Sequence, residues 1–251
     1  MSHHVISMEN RIVLITGGSR GLGREMALGF AAAGATVVVA SRQLESCEAV
    51  IREIRALGRD GMACACHVGH WEQVDRLVDV VYERCGRVDV LINNAGLSPV
   101  YGRPCDITEA LYDKVFAVNL KGAFRLCASI GQRMVDGEGG AIINVSSTAA
   151  IRPRKDIIPY AAAKAGLNAM TEAFANAYGP KVRVNAIMPG PFLTDISHAW
   201  DMKAFETRAA TSIALKRGGR PDEIVGAALY LASDHASFTS GAILRVDGGG
   251  V

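Results

Sequence analysis

The chain has 251 residues, 49% of them hydrophobic and 21% charged, with a formal net charge of +2. That composition fits one large α/β domain able to bury a sizeable core, and the near-neutral balance gives no electrostatic case for nucleic acid, which calls for a concentrated basic face. No apolar run approaches the roughly 18 residues of a membrane span, and residues 1–10 lack the apolar core of a signal peptide, so a cytoplasmic location is expected.

Short apolar runs predict strands at residues 12–16, 36–40, 62–66, 88–92, 141–145, 183–187 and 243–246. Amphipathic stretches between them predict helices at 21–33, 44–57, 71–85, 109–135, 160–178 and 221–231. Near-continuous apolar strands such as Thr36-Val37-Val38-Val39-Ala40 belong in a parallel sheet buried on both faces. The prediction is a single doubly wound α/β domain over residues 1–251, a Rossmann fold with a seven-stranded parallel sheet and helices on both faces. Residues 192–217 break the rhythm, with apolar patches at Ile196, Trp200, Met202 and Phe205. A long insertion of this kind is predicted to be a lid over a substrate site.

The first strand runs straight into Thr16-Gly17-Gly18-Ser19-Arg20-Gly21-Leu22-Gly23, which opens the first helix. Glycines there allow a tight turn and close backbone approach to a phosphate, and the helix N-terminus offers free N–H groups to the anion. The same residues also match a Gly-x-Ser-x-Gly nucleophile elbow, making Ser19 a hydrolase nucleophile served by a late His198 or His235. That rival leaves Gly23 without a purpose and has no preceding strands on which to build a hydrolase sheet. The second strand ends Ala40-Ser41-Arg42, with no acid to hydrogen-bond a ribose 2′-hydroxyl. Arg42, supported by Arg20, is placed to pair with a 2′-phosphate instead, so NADP(H) is predicted over NAD(H).

Six cysteines read as small hydrophobes rather than a disulfide frame. Cys64-Ala65-Cys66-His67 with His70 resembles a ligand cluster, but its spacing and strand alternation do not assemble a metal site, and none is expected. Further on, Tyr160-Ala161-Ala162-Ala163-Lys164 places a phenol and an ammonium on one helix face. The Lys charge is predicted to lower the Tyr pKa and create a general acid or base. Taken alone, the spacing also fits an exposed pair on an ordinary helix.

Together these elements resemble the short-chain dehydrogenase/reductase family over nearly the whole chain. The resemblance rests on Thr16–Gly23, Asn93-Asn94-Ala95-Gly96, Asn119, Ser147 thirteen residues before Tyr160, Pro189-Gly190 with Thr194, and Val246-Asp247-Gly248-Gly249. It implies hydride transfer between a nicotinamide and a carbonyl or secondary alcohol. Tyr160 would donate the proton, Lys164 would lower its pKa and hold the ribose, Ser147 would hydrogen-bond the substrate oxygen, and Asn119 would hold a relay water. The implied cofactor contacts are Gly17, Ser19, Arg20, Gly21, Leu22, Gly23, Ser41, Arg42, His67, Val68, Asn94, Ala95, Gly96, Tyr160, Lys164, Pro189, Gly190, Phe192 and Thr194. His67 stands where many members carry the Asp that contacts adenine, leaving the Val68 N–H for that contact, and Ala150 stands where many carry Gly.

Substrate is less determined. Ile151, Phe192 and the 192–217 segment suggest a partly apolar pocket. Arg152-Pro153-Arg154-Lys155 between Ser147 and Tyr160 would attract an anion or would simply be a solvated loop. The resemblance reaches 3-oxoacyl-[acyl-carrier-protein] reductases and gluconate 5-dehydrogenases without choosing. A non-catalytic NADP-binding sensor on the same fold is the rival class. Small residues along the 109–135 and 160–178 helices would allow close packing, and the resemblance implies that these helices pair across a two-fold axis in a homotetramer of D2 symmetry.

Overall fold

The strands are β1 (Ile12–Thr16), β2 (Thr36–Ser41), β3 (Gly61–Ala65), β4 (Val90–Asn93), β5 (Gly140–Val145), β6 (Val182–Pro189) and β7 (Ile243–Val246). They form one parallel sheet in the order β3-β2-β1-β4-β5-β6-β7. The structure is a computed structural model describing residues 6–195, 197 and 201–250, so Ile196, His198 and Trp200 lie outside the described residues. The helices are α1 (Gly21–Ala32), α2 (Leu44–Ala56), α3 (Trp71–Cys85), α4 (Glu109–Phe116), α5 (Gly122–Asp136), α6 (Ile158–Tyr178), α7 (Met202–Ser212) and α8 (Val225–Ala232). The predicted doubly wound Rossmann architecture is therefore observed.

Alternation along each strand divides the core in two. Val13, Ile15, Val37 and Val39 pack with α1, α2 and α8 on one face. Leu14, Val38, Leu91 and Ile142 pack with α3 and α5 on the other. Each aliphatic side chain so buried contributes about 1.5–3 kcal/mol, and covering both faces explains why the strands read as unbroken apolar runs. The chain order reverses between β1 and β4. That switch point leaves a crevice at the carboxyl ends of the strands, where ligands bind in sheets of this type.

Several boundaries differ from prediction. β3 ends at Ala65, so Cys66 and His67 follow the strand instead of alternating along it. The single helix predicted at 109–135 is interrupted by a π-helical turn, Ala117–Lys121. The cause is Asn119, whose Nδ2 donates to Val115 O at 2.9 Å and takes up a carbonyl of the helix ladder. The 192–217 segment contains α7, whose Phe205 and Ala209 pack with Ile213 against Leu193. The last predicted helix opens as a 3-10 turn, Pro221–Ile224, before α8. Among the described residues, no helix is long and apolar enough to cross a membrane.

Candidate functional site

The loop after β1 is shaped by close backbone approach. Gly17 and Gly21 have φ of 64° and 53°, a region that L side chains rarely occupy. A Cβ on Gly17 would stand 2.8 Å from Ala95 Cα, and one on Gly23 would stand 2.3 Å from Gly17 O. Thr16 Oγ1 accepts from Asn94 N (3.1 Å) and Ala95 N (3.2 Å), while Asn94 Nδ2 donates to Thr16 O and Gly17 O at 3.0 Å each. The Asn94 side chain thus pins the loop across the switch point. Arg20 is the N-cap of α1; no side chain caps that helix and no acid sits in its first turn. Its first N–H groups and positive dipole end are left for an anion. Thr194 stands over the loop, its Cβ 3.5 Å from where a Gly21 Cβ would be.

Ser41 ends β2, and its Oγ lies 3.0 Å from Cys47 Sγ. Arg20 and Arg42 are both exposed, and neither has a carboxylate partner among the described residues. His67 Nδ1 accepts from Gly69 N at 3.1 Å, and its ring meets His70 edge-on at 4.6 Å between centroids. Burial first, then the neighbouring His70 with Arg42 and Lys114, lowers the His67 pKa. Val68 points into the core, so only its backbone can face the crevice. The Phe192 side chain is buried in the core, and a Gly219 Cβ would stand 2.8 Å from its ring, leaving its backbone for the expected cofactor contact. Pro189 closes β6 opposite Val246, and Gly190 presses against Asp247, leaving 2.8 Å from a Cβ to Asp247 Cα.

On the other side of the switch point, four predicted residues come together. Asn119 is 1% exposed; its Nδ2 donates to Leu97 O at 2.8 Å and its Oδ1 accepts from Leu97 N at 3.2 Å. Lys164 is 3% exposed, and its Nζ donates to Val145 O at 2.7 Å. Both reach Gly96, where a Cβ would meet Asn119 Oδ1 at 3.0 Å and Lys164 Nζ at 3.6 Å. Lys164 Nζ is 5.8 Å from the Tyr160 ring centroid, one helical turn away. Ser147 follows β5 and caps a 3-10 turn, accepting from Ala149 N at 3.1 Å.

The electrostatics differ from the sequence expectation. Burial raises the Tyr160 pKa, and the Ser147 hydroxyl offsets part of that rise. The Lys164 Nζ, 5.8 Å from the phenol ring centroid and bonded to Val145 O, does not outweigh that burial. Burial instead lowers Lys164 itself from 10.5 to about 8. The unfolded chain then keeps this proton to a higher pH than the folded chain, so its contribution to stability rises with pH above about 8. Relative to Lys164→Met, the ligand-free protein gains stability between about pH 8 and pH 10, measured by urea unfolding at each pH. A difference flat across that interval contradicts the assignment.

A family model described as enoyl-(acyl carrier protein) reductase matches residues 17–250. The 7alpha-hydroxysteroid dehydrogenase of Escherichia coli (strain K12) is 34% identical over 247 residues, 98% of this chain and 96% of that protein. The chain belongs to the short-chain dehydrogenase/reductase family. It is accordingly an oxidoreductase of a family that works with a nicotinamide cofactor. Solved relatives of the family share the fold. A 7alpha-hydroxysteroid dehydrogenase complexed with NADH and 7-oxo glycochenodeoxycholic acid has a TM-score of 0.93 at 34% identity, covering 98% of this chain and 96% of that one. A 3-oxoacyl (acyl-carrier-protein) reductase from Agrobacterium tumefaciens C58 with NADP bound has a TM-score of 0.92 at 30% identity, with the same coverage. Their two cofactors differ, so family membership alone does not choose between NAD(H) and NADP(H).

The rival readings fare differently. The His235 segment packs at the start of β6, where Arg183 donates to Ser233 O at 3.1 Å and Gly241 N donates to Val184 O at 2.8 Å. That is the end of the sheet opposite Ser19, so no hydrolase triad forms with His235; His198 is outside the described residues. Burial pushes the Cys64 and Cys66 thiols up to about 11, and among the described residues no group of three or more His, Cys, Asp or Glu side chains is placed to hold a metal. The basic loop is largely committed: Arg154 pairs with Asp156, and Arg152 donates to Gly250 O. Among the described residues, Lys155 has no ion-pair partner, unlike Arg152 and Arg154. Sequence reasoning missed Tyr101, whose hydroxyl accepts from Ile158 N at 2.7 Å at the start of α6. With Pro99, Ile107, Leu111 and Val115 it lines a narrow apolar cleft beside Tyr160. A larger open groove on α7, along Asp201, Lys203, Thr207 and Arg208, contains none of the candidate residues.

Proposed function

We propose that the protein is an NADP(H)-dependent reductase or dehydrogenase acting at a carbonyl or secondary alcohol carbon. The observation that carries this reading is the meeting of Asn119 and Lys164 at Gly96, one helical turn from Tyr160 and beside the glycine loop. The residues fit a dinucleotide: a Cβ would fill the cradle at Gly17 and Gly23, and the α1 terminus is uncapped. Gly17, Gly21 and Gly23 with the Ser19, Arg20 and Leu22 backbone would hold the pyrophosphate. Ser41 and Arg42 would take a 2′-phosphate, and Ala95, Gly96, Gly190 and Thr194 would border the nicotinamide half.

When bound, the reduced nicotinamide supplies a hydride. Tyr160 then gives its proton to the developing alkoxide. Its raised pKa keeps it a proton donor at neutral pH. The Ser147 hydroxyl hydrogen-bonds the same oxygen and steadies its charge. Buried Lys164 returns a proton toward Tyr160, with Asn119 fixing the backbone at Leu97 beside it. The completeness of this set argues against a non-catalytic sensor.

The apolar cleft at Tyr101, Ile107 and Leu111 beside Tyr160 favours a partly apolar carbonyl compound; the 192–217 segment would serve as a lid. An apolar wall suits a 3-oxoacyl chain better than a sugar acid. A homotetramer is supported by a row of rings on α3, α5 and α6, where Trp71, Phe124, Phe174 and Tyr178 follow one another at 6.2, 5.8 and 5.1 Å; a monomer mass by light scattering would contradict it. Six unpaired cysteines suit a reducing, cytoplasmic compartment. The test of function is a panel of ketones, 3-oxoacyl thioesters and sugar acids with NADPH or NADH, followed by loss of reduced-nicotinamide absorbance. Turnover of a carbonyl with NADPH supports the reading; inertness of the whole panel refutes it.

A further inference from the structure

Arg152 joins three segments that border the site. Its backbone N–H donates to Thr148 O at 2.9 Å, directly after Ser147. Its Nη1 donates to Gly250 O at 2.6 Å and stands 3.9 Å from Asp247 Oδ2. The Asp247 side chain is 5% exposed. Its Oδ1 accepts from Gly249 N at 3.1 Å, whereas Oδ2 has no hydrogen-bond partner among the described residues. Arg245 Nε approaches Oδ2 to 3.3 Å from the other side.

Asp247 also stands at both feet of the segment carrying α7. Its Cα fills the space that a side chain on Gly190 would need, where the chain leaves β6. The residues after it hold the far foot: Leu215 N donates to Gly248 O (3.0 Å), Ala214 N donates to Gly249 O (3.1 Å), and Ile213 bridges Gly250. An exposed ion pair has little effect. This one is different, because its carboxylate is buried and the guanidinium also makes a short bond to a backbone carbonyl.

We propose that Arg152 is a positioning residue, tying the Ser147 loop to Asp247 and Gly250 and so fixing the feet of the α7 segment against the site. It then governs substrate affinity and leaves the chemical step alone. The kinetic part rests on the oxidoreductase reading; the structural part does not.

Arg152→Gln tests it, since Arg245 still neutralises Asp247 and the fold is retained, as an unchanged unfolding midpoint would confirm. Amide hydrogen exchange at Ala214 and Leu215 is expected to quicken about tenfold while β1 amides are unmoved. The substrate KM is expected to rise about fivefold or more with kcat within about twofold, and Arg152→Lys to restore part of both. Unchanged exchange at Ala214 and Leu215 overturns the proposal, as does a fall in kcat with KM unmoved. If the wild type turns over no carbonyl, the functional reading fails on its own and the exchange result still decides this one.

Discussion

Tyr160→Phe lowers kcat for carbonyl reduction by about 10²–10⁴-fold, the range for losing a positioned general acid, with the Kd of NADPH within about twofold of wild type. The expectation follows from how little else the substitution changes. The Tyr160 ring packs against Ala149, Ile157 and Ala161, and Phe preserves those contacts. Only the hydroxyl is lost, and with it the group influenced by Ser147. Lys164 lies a helical turn away with its Nζ 5.8 Å from the ring centroid, set back from the position of the lost hydroxyl. Steady-state kinetics with a turned-over carbonyl, alongside NADPH binding by fluorescence, separates the two effects. Activity within tenfold of wild type would remove Tyr160 from the chemistry.

The second large effect is on cofactor choice. Arg42→Asp is expected to weaken NADPH about 100-fold, equivalent to about 2.7 kcal/mol, by exchanging a charge-assisted phosphate contact for a repelling carboxylate. NADH is expected to bind as well or better, since a carboxylate at this position can accept from a ribose 2′-hydroxyl. Arg42 is suited to the role because it is exposed at the end of β2 without a carboxylate partner among the described residues. Arg20, on the facing loop, is placed the same way. Dissociation constants of both cofactors for both proteins are the measurement. Equal affinity of the wild type for NADPH and NADH would contradict the 2′-phosphate assignment.

Much of the fold was legible because parallel strands buried on both faces leave unbroken apolar runs. β1, α3 and β7 fall where the pattern puts them. The glycine loop was legible for a related reason, since close packing onto Ala95 and Gly17 O excludes any other residue at Gly17 and Gly23. Features set by distant contacts were not. The Asn119 side chain in the π turn is also bonded to Leu97, 22 residues away. The packing of the Phe192 ring against Gly219 is set by such a contact. The basic character of Arg152 and Arg154 suggested an open anion site, yet their partners are Gly250 and Asp156. Burial also reversed the expected direction for the Tyr160 pKa, because charge proximity can be read from spacing but desolvation cannot.

The central claim is hydride delivery at the crevice shared by the glycine loop and Tyr160. It is tested most directly by turning over a carbonyl from the panel with NADPH carrying deuterium at both C4 positions, then locating the label in the product by mass spectrometry and NMR. Deuterium on the new carbinol carbon, delivered by the wild type and lost with turnover in Tyr160→Phe, is the predicted result. A product without the label at that carbon would contradict hydride transfer.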